Sequence, residues 1–398
     1  MKQRRGGIYL LTLAGALILV AIVLGLSHLL LQFRRFSRSD SRAELAQFHA
    51  QMGIRHALFF TAQSPDWRSL LPNGEWLRDI CVDQARYSVS GVAPGGLGGG
   101  SEQRITLTAT ATVAGVSRTL KVQARQAPSL LLANAVTTGG TLSIANHARI
   151  TGPISSNTEI SKNGADTWVW GSARSPGTIT ETAGISGPVL PGSPAQLFPS
   201  ASEIITYYSS RGLALPYIPV LENTLIGAGI NPLGILNPDG VFVINCANQK
   251  IVIRNIRILG TLVLLNPKSD STVEGAINWS PARPDYPALV VSGGGIALSS
   301  SANLTEIQRL RDFSLPGEPG FLTLNDTYPN RIQGAIYVNG NLTLGNLGNV
   351  NGSIIATGAV YLKDSCILTL DPGLAADNPP NAINEYWLAP IRGSWQEP

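Results

Sequence analysis

The residue pair with the most direct chemical reading is Trp168 and Trp170, in the stretch DTWVWGS. Two indoles at i and i+2 fall on one side of a β-strand, where their faces can form a platform for a carbohydrate ring. The same spacing suits packing at a strand edge, and the sequence leaves both readings open. Carboxylates are the second source of chemistry, because polysaccharide cleavage uses paired acids. Asp239, Glu274, Asp285 and Asp364 are isolated from one another, the first three beside Gly or Pro, where turn roles account for them. No two equivalent positions of the repeats described below both carry an acid.

Metal and nucleophile chemistry have less support. Three of the four histidines, His28, His49 and His56, lie in or beside an N-terminal apolar segment, which disfavours a histidine metal site. Cys81, Cys246 and Cys366 show no CxxC spacing, so neither a zinc ribbon nor a dithiol centre is indicated. One disulfide in an exported protein and buried free thiols both remain open. There is no G-x-S-x-G, H-E-x-x-H or Walker pattern, and GGLGGGSEQ lacks the lysine and helix of a phosphate loop. The expectation is a protein without catalytic residues, cofactor or metal.

The elements that would position the tryptophans are repetitive. GAIYVNGNLTLGN (334–346) aligns with GSIIATGAVYLKD (352–364), placing Gly334 on Gly352, Ile336 on Ile354 and Leu342 on Val360. GTLSIANHARITGPI (140–154) repeats the pattern, and ALVVSGGGIALS (288–299) and IVIRNIRILGTLVLLN (251–266) are looser versions. A unit of this size cannot bury its own apolar face and must stack on its copies. This predicts a parallel β-helix, or β-solenoid, over 128–370. Short helical excursions are expected near 200–210, where Ser200 and Glu203 form a capping-box pattern, and near 303–313. Residues 371–398 are expected to form a C-terminal tail or cap.

Upstream, 63–127 alternates with period two, as in RITLTATATVAGVSRTLKVQAR, and predicts a small antiparallel β module. Before it, residues 7–33 contain no charged side chain and are long enough for a transmembrane helix after a basic tip, 1–6. Residues 34–62 extend that helix amphipathically. Ala43, Ala46, Ala50, Gly53, Ala57 and Phe60 form a helix-packing seam at 3-4 spacing, suited to the chain's own domain or to other helices. The seam's helix should end before Pro65.

Composition fits this plan. Only 14% of the 398 residues are charged, with 42 Gly and 26 Pro, which excludes a helical bundle and a solvated disordered chain. The net charge is +4, and its basic cluster flanks the apolar run, so the expected partner is a lipid bilayer and not nucleic acid.

KQRRGGIYLLTLAGALILV followed by AELAQFHAQMGIRHAL resembles the N-terminus of PilX-type type IV pilus assembly proteins. PDWRSLLPNGEW, NPLGILNPDGVFVINCANQKIVIRNIRILGTLVLLN and INWSPARPDYPALVV resemble a largely uncharacterised set of bacterial proteins that join such an N-terminus to a solenoid. The resemblance implies a cytoplasmic N-terminus, an exported remainder, leader cleavage after Gly6 or Gly7, and pilin-like subunits or secretion-system proteins as partners. Leu11 or Thr12 stands where major pilins carry a glutamate. The expected function is a non-enzymatic, membrane-anchored envelope protein, an accessory of a type IV pilus or type II secretion-like system. The alternatives are a membrane-anchored structural or adhesive envelope protein unrelated to pili and an anchored polysaccharide-active β-helix enzyme.

Overall fold

The computed structural model describes residues 5–64, 67–94, 104–127, 129–164, 166–345, 349–363, 365–376 and 387–397, with Pro380 and Ile383. At residues 5–16, 18, 20, 21, 300 and 301 it describes the backbone alone. The chain divides into two compact units, one of Met1–Gln126 with Tyr386–Pro398 and one of Ala127–Glu385. The protein is mainly β, with one long N-terminal helix and a large parallel sheet.

In the first unit the helix α1 (Arg5–Gln63) runs unbroken through both expected segments. Its C-terminal half lies on an antiparallel sheet of β1 (Gly74–Val82), β2 (Ala85–Val92), β3 (Ile105–Val113) and β4 (Val116–Gln126). The alternation read from the sequence sets the sheet's faces: Ile105, Leu107, Ala109 and Ala111 are buried, and the intervening threonines are not. Ala114 and Gly115, both at positive φ, make the two-residue turn between β3 and β4. Of the expected tail or cap, the part up to Glu385 belongs to the unit of the repeats, and Leu388–Pro390 pairs antiparallel with β4. There it covers an edge of β4 that would otherwise present a row of unpaired backbone groups.

The second unit is a 23-stranded sheet whose pairings are parallel. Strands of three to five residues are typical, and each pairs with its equivalent in the next turn of chain. Ile336 pairs with Ile354 and Leu342 with Val360, the offset visible in the sequence. Gly352 marks why the corner repeats glycine: a Cβ there would lie 1.9 Å from the Gly334 carbonyl oxygen. Inward residues such as Ile150, Ile154, Ile336, Val360 and Leu368 form one continuous core with Cys246 and Cys366.

The order of turns is not the order of the sequence. The strands 354–356, 360–362 and 367–369 stack on 136–138, 142–144 and 149–151. The chain therefore builds turns from 136 to 191, passes through the helix Ala201–Arg211, and begins again at 213. The second run ends against the first turn of the first run. The ladder is one object made of two segments joined in reverse order.

The helix Ala201–Arg211 begins at the expected place, but Ser200 makes no side-chain cap; its hydroxyl lies 2.9 Å from that of Ser202. What holds the helix is packing. Ile204 and Tyr208 are fully buried against the outward side chains of the ladder, and Tyr208 meets Tyr286 edge to face at 5.5 Å. The other excursion contains only a short helix, Glu306–Arg309.

Candidate functional site

Each strand of the ladder points alternate residues outward, and parallel register lines them up into rows about 4.8 Å per turn apart. Three such faces result, and they differ in chemistry. On the first, the outward row runs Val243, Val263, Val290, Tyr337, Ile355, Thr137 and Ser155. All are buried, in part by the helix Ala201–Arg211. Desolvation pushes the Tyr337 phenol up to about 12.

The second face carries a charged row. Glu222 pairs with Arg254 and Arg254 with Glu274 across successive turns, and the Arg254–Glu222 ion pair measures 2.5 Å. The hydrogen bond to Glu222 and then its charge raise the Arg254 pKa above its ordinary value. The isolated acid Glu274 thus shares a row with a second acid. Arg254 stands between the two carboxylates, and all three side chains line an open face, whereas hydrolytic acid pairs face each other across a substrate. The sequence did not reveal this row because the turns from Glu222 to Arg254 and from Arg254 to Glu274 differ in length, which hides the register.

The third face contains the tryptophans. Gln333, Asn351, Thr369, Thr151 and Trp170 occupy five consecutive turns of one row. Beside it Ile367, Arg149 and Trp168 form another. Trp168 and Trp170 are 48% and 47% exposed, with ring planes 14° apart and centroids 6.5 Å apart. The strand edge is not their setting, because Trp168–Trp170 pairs with Arg149–Thr151 on one side and bridges Ile185 on the other.

At its other end the same face is covered by the excursion 303–328. Arg257 and Asn278, in the row of Arg331, are buried there. Arg257 donates to Glu318 through two nitrogens at 2.7 and 3.1 Å, donates to the Phe313 carbonyl, and stacks on Tyr328 at 4.3 Å. The Arg257 hydrogen bond holds the Glu318 carboxyl below its usual range against the opposing effect of burial. Glu306, fully buried, accepts from the backbone of Phe313 and Asp326. These charges lock a loop in place.

The remaining expected residues fall as follows. Ala43, Ala46, Ala50 and Ala57 are buried and Gly53 lies close beneath the sheet, where a Cβ would meet Tyr87 at 2.9 Å; Phe60 is partly buried. The seam covers the unit's own sheet. Gly6 and Gly7 lie near the start of α1, and their surroundings are outside the described residues, as is Asp364. Asp239 sits in a turn whose Asn237 side chain accepts its backbone N–H, and Asp285 pairs with Arg283. Cys81 is exposed and Cys246 and Cys366 are buried; the Cys366 thiol donates to the carbonyls of Leu344 and Lys363, and burial raises Cys246 to about 11. His56 meets the Tyr87 hydroxyl at 2.9 Å. Among the described residues no group of three or more His, Cys, Asp or Glu could hold a metal ion. Nor is any helix among them long and apolar enough to cross a membrane; much of the expected 7–33 span has its side chains outside the described set.

The fold so defined is a long helix on an antiparallel sheet, with a parallel ladder as a second unit. No protein-family model and no curated protein matches the chain. Among solved structures it is similar to the competence-associated pilin ComZ from Thermus thermophilus, 10% identical over 89% of this chain and 97% of that chain, with a TM-score of 0.32. It is also similar to the ice-binding protein of the Antarctic ascomycete Antarctomyces psychrotrophicus, 11% identical over 61% of this chain and 98% of that chain, with a TM-score of 0.28. At such TM-scores neither likeness carries function across.

Proposed function

We propose that this is a membrane-anchored, non-enzymatic cell-envelope protein, a minor pilin-like or accessory component of a type IV pilus or type II secretion-like system. In this reading the ladder is a β-solenoid that meets a surface or partner outside the cytoplasmic membrane, and the short N-terminus stays cytoplasmic. The observation that carries it is the contrast within α1. Its C-terminal half buries Ala46, Ala50, Ile54 and Ala57 on the sheet. Its other half leaves Ile22, Val23, Leu24, Leu26 and Leu29 more than half exposed. Those positions point around the whole helix, and a helix apolar on every side is matched to lipid or to neighbouring helices.

The test is the mature N-terminus. In cells that contain prepilin peptidase, mass spectrometry of the membrane fraction should find a chain lacking its first six or seven residues. An intact Met1 in that background, or a protein that stays out of the membrane fraction, overturns the reading.

A further inference from the structure

We infer that the open face of the ladder binds an acidic polysaccharide, with the sugar rings laid on Trp168 and Trp170 and a carboxylate held by Arg149. The inference concerns the second unit alone and does not depend on how the chain is anchored.

Three observations converge on this ligand. The first is the exposure of the indoles. They sit on an interior strand as a nearly parallel pair, and each is about half exposed, so much of both rings is open to solvent. The face of an indole is electron-rich, and the apolar C–H face of a sugar is its complement. The second is the row that leads away from Trp170. Thr151, Thr369, Asn351 and Gln333 offer hydroxyls and amides in register, and none of the four side chains has a hydrogen-bond partner among the described residues. Such groups match sugar hydroxyls directly or through water.

The third observation is charge. Arg149 neighbours Trp168 in its row, Arg331 lies farther along the face, and both are exposed without an ion-pair partner among the described residues. Neither row of the open face contains an acid. Asp166, the acid nearest to Trp168 in sequence, has its carboxylate 3.7 Å from His147. The open face is therefore cationic and neutral-polar, which selects an anionic chain, and a guanidinium suits a carboxylate in particular. A nucleic acid fits less well, because it presents a phosphate at every nucleotide. The two arginines are three turns, about 14 Å, apart, with uncharged residues between them.

Affinity electrophoresis of the full-length protein in detergent tests the inference, with polygalacturonate, hydroxyethyl cellulose and oligo(dT) as probes. Polygalacturonate is expected to retard the protein more than the other two. The double variant Trp168→Ala/Trp170→Ala should weaken that binding by about tenfold or more, the size of a lost pair of stacking contacts. Arg149→Gln should weaken it by about threefold to tenfold and leave any hydroxyethyl cellulose binding unchanged. Trp395→Phe, an exposed tryptophan of the other unit, should change nothing. Unchanged unfolding curves separate lost binding from lost folding. The inference fails if no acidic polysaccharide binds, if the double variant binds as the parent does, or if hydroxyethyl cellulose or oligo(dT) binds as tightly as polygalacturonate.

Discussion

Two faces of one ladder share backbone geometry and register, yet one lies under a helix and the other is open. The covered row, Val263, Val290, Tyr337 and Ile355, is apolar where the helix and its neighbouring segments cross it. The open row, Gln333, Asn351, Thr369 and Thr151, is polar throughout. Inward residues build the ladder on both faces, so the outward residue alone decides whether a turn needs a cover. The two tryptophans and Ile367 break this rule, apolar residues on the uncovered side, and the paired indoles among them point to a ligand.

Substitutions that move a residue type from one face to the other test the contrast. The largest effect is expected for Val263→Asp, which places an unpaired charge in the covered interface. It should cost about 4 kcal/mol or more, read by denaturant unfolding, while Thr151→Asp on the open face should stay within about 0.5 kcal/mol. Equal costs would break the comparison. Next comes Tyr208→Ala, which empties the main contact of the covering helix and should cost about 3–4 kcal/mol. Trp170→Ala, removing a ring of similar size from the open face, should cost far less in the same assay.

The excursion over Arg257 is the intermediate case, a row with Arg257 and Asn278 covered by a segment that brings both Glu318 and the apolar Leu304 and Phe313. Glu318→Gln leaves the nearly buried guanidinium without its anion and should cost about 2–3 kcal/mol after allowance for the partial exposure of Glu318. Because the folded pKa of Glu318 is depressed, its contribution is full above its unfolded value near 4.5 and is lost as pH falls through the folded pKa. Thermal melts of the parent should therefore fall on acidification below about pH 4.5 more steeply than those of Glu318→Gln. Parallel slopes would show that the pair does not hold the loop. Gly352→Ala, whose Cβ would overpack against a backbone carbonyl at the turn corner, should cost about 1–3 kcal/mol in the same unfolding assay.

Much of this was legible in the sequence, for local reasons. The Thr–Ala alternation of 105–113 and the Gly-marked self-match at 334–364 each encode a period that folding preserves. The tryptophan pair was also visible as residues, though strand-edge packing could be set aside only with the pairing of both neighbours known. What could not be read is pairing between distant segments. Nothing local tells Leu388 to join Gln126, or the turn at Ile354 to stack on the turn at Val136. The last part of the expected tail or cap is therefore a strand of the first unit. The Glu222–Arg254–Glu274 row was hidden for a related reason, since turns of unequal length bring its members together.

The reversed joint between the two runs has a consequence for how the ladder comes into being. A stack whose turns follow chain order can grow by adding each turn to the last. Here the hydroxyl of Ser353 donates to the carbonyl of Asn134 across 219 residues of chain. That closure joins segments from opposite ends of the unit, so it must await most of the unit's synthesis and carries the entropic cost of a long loop. Until then the turn at 136–151 keeps one side of its strands unpaired. High contact order of this kind slows folding, and the last event in assembling the ladder is the one that creates its middle.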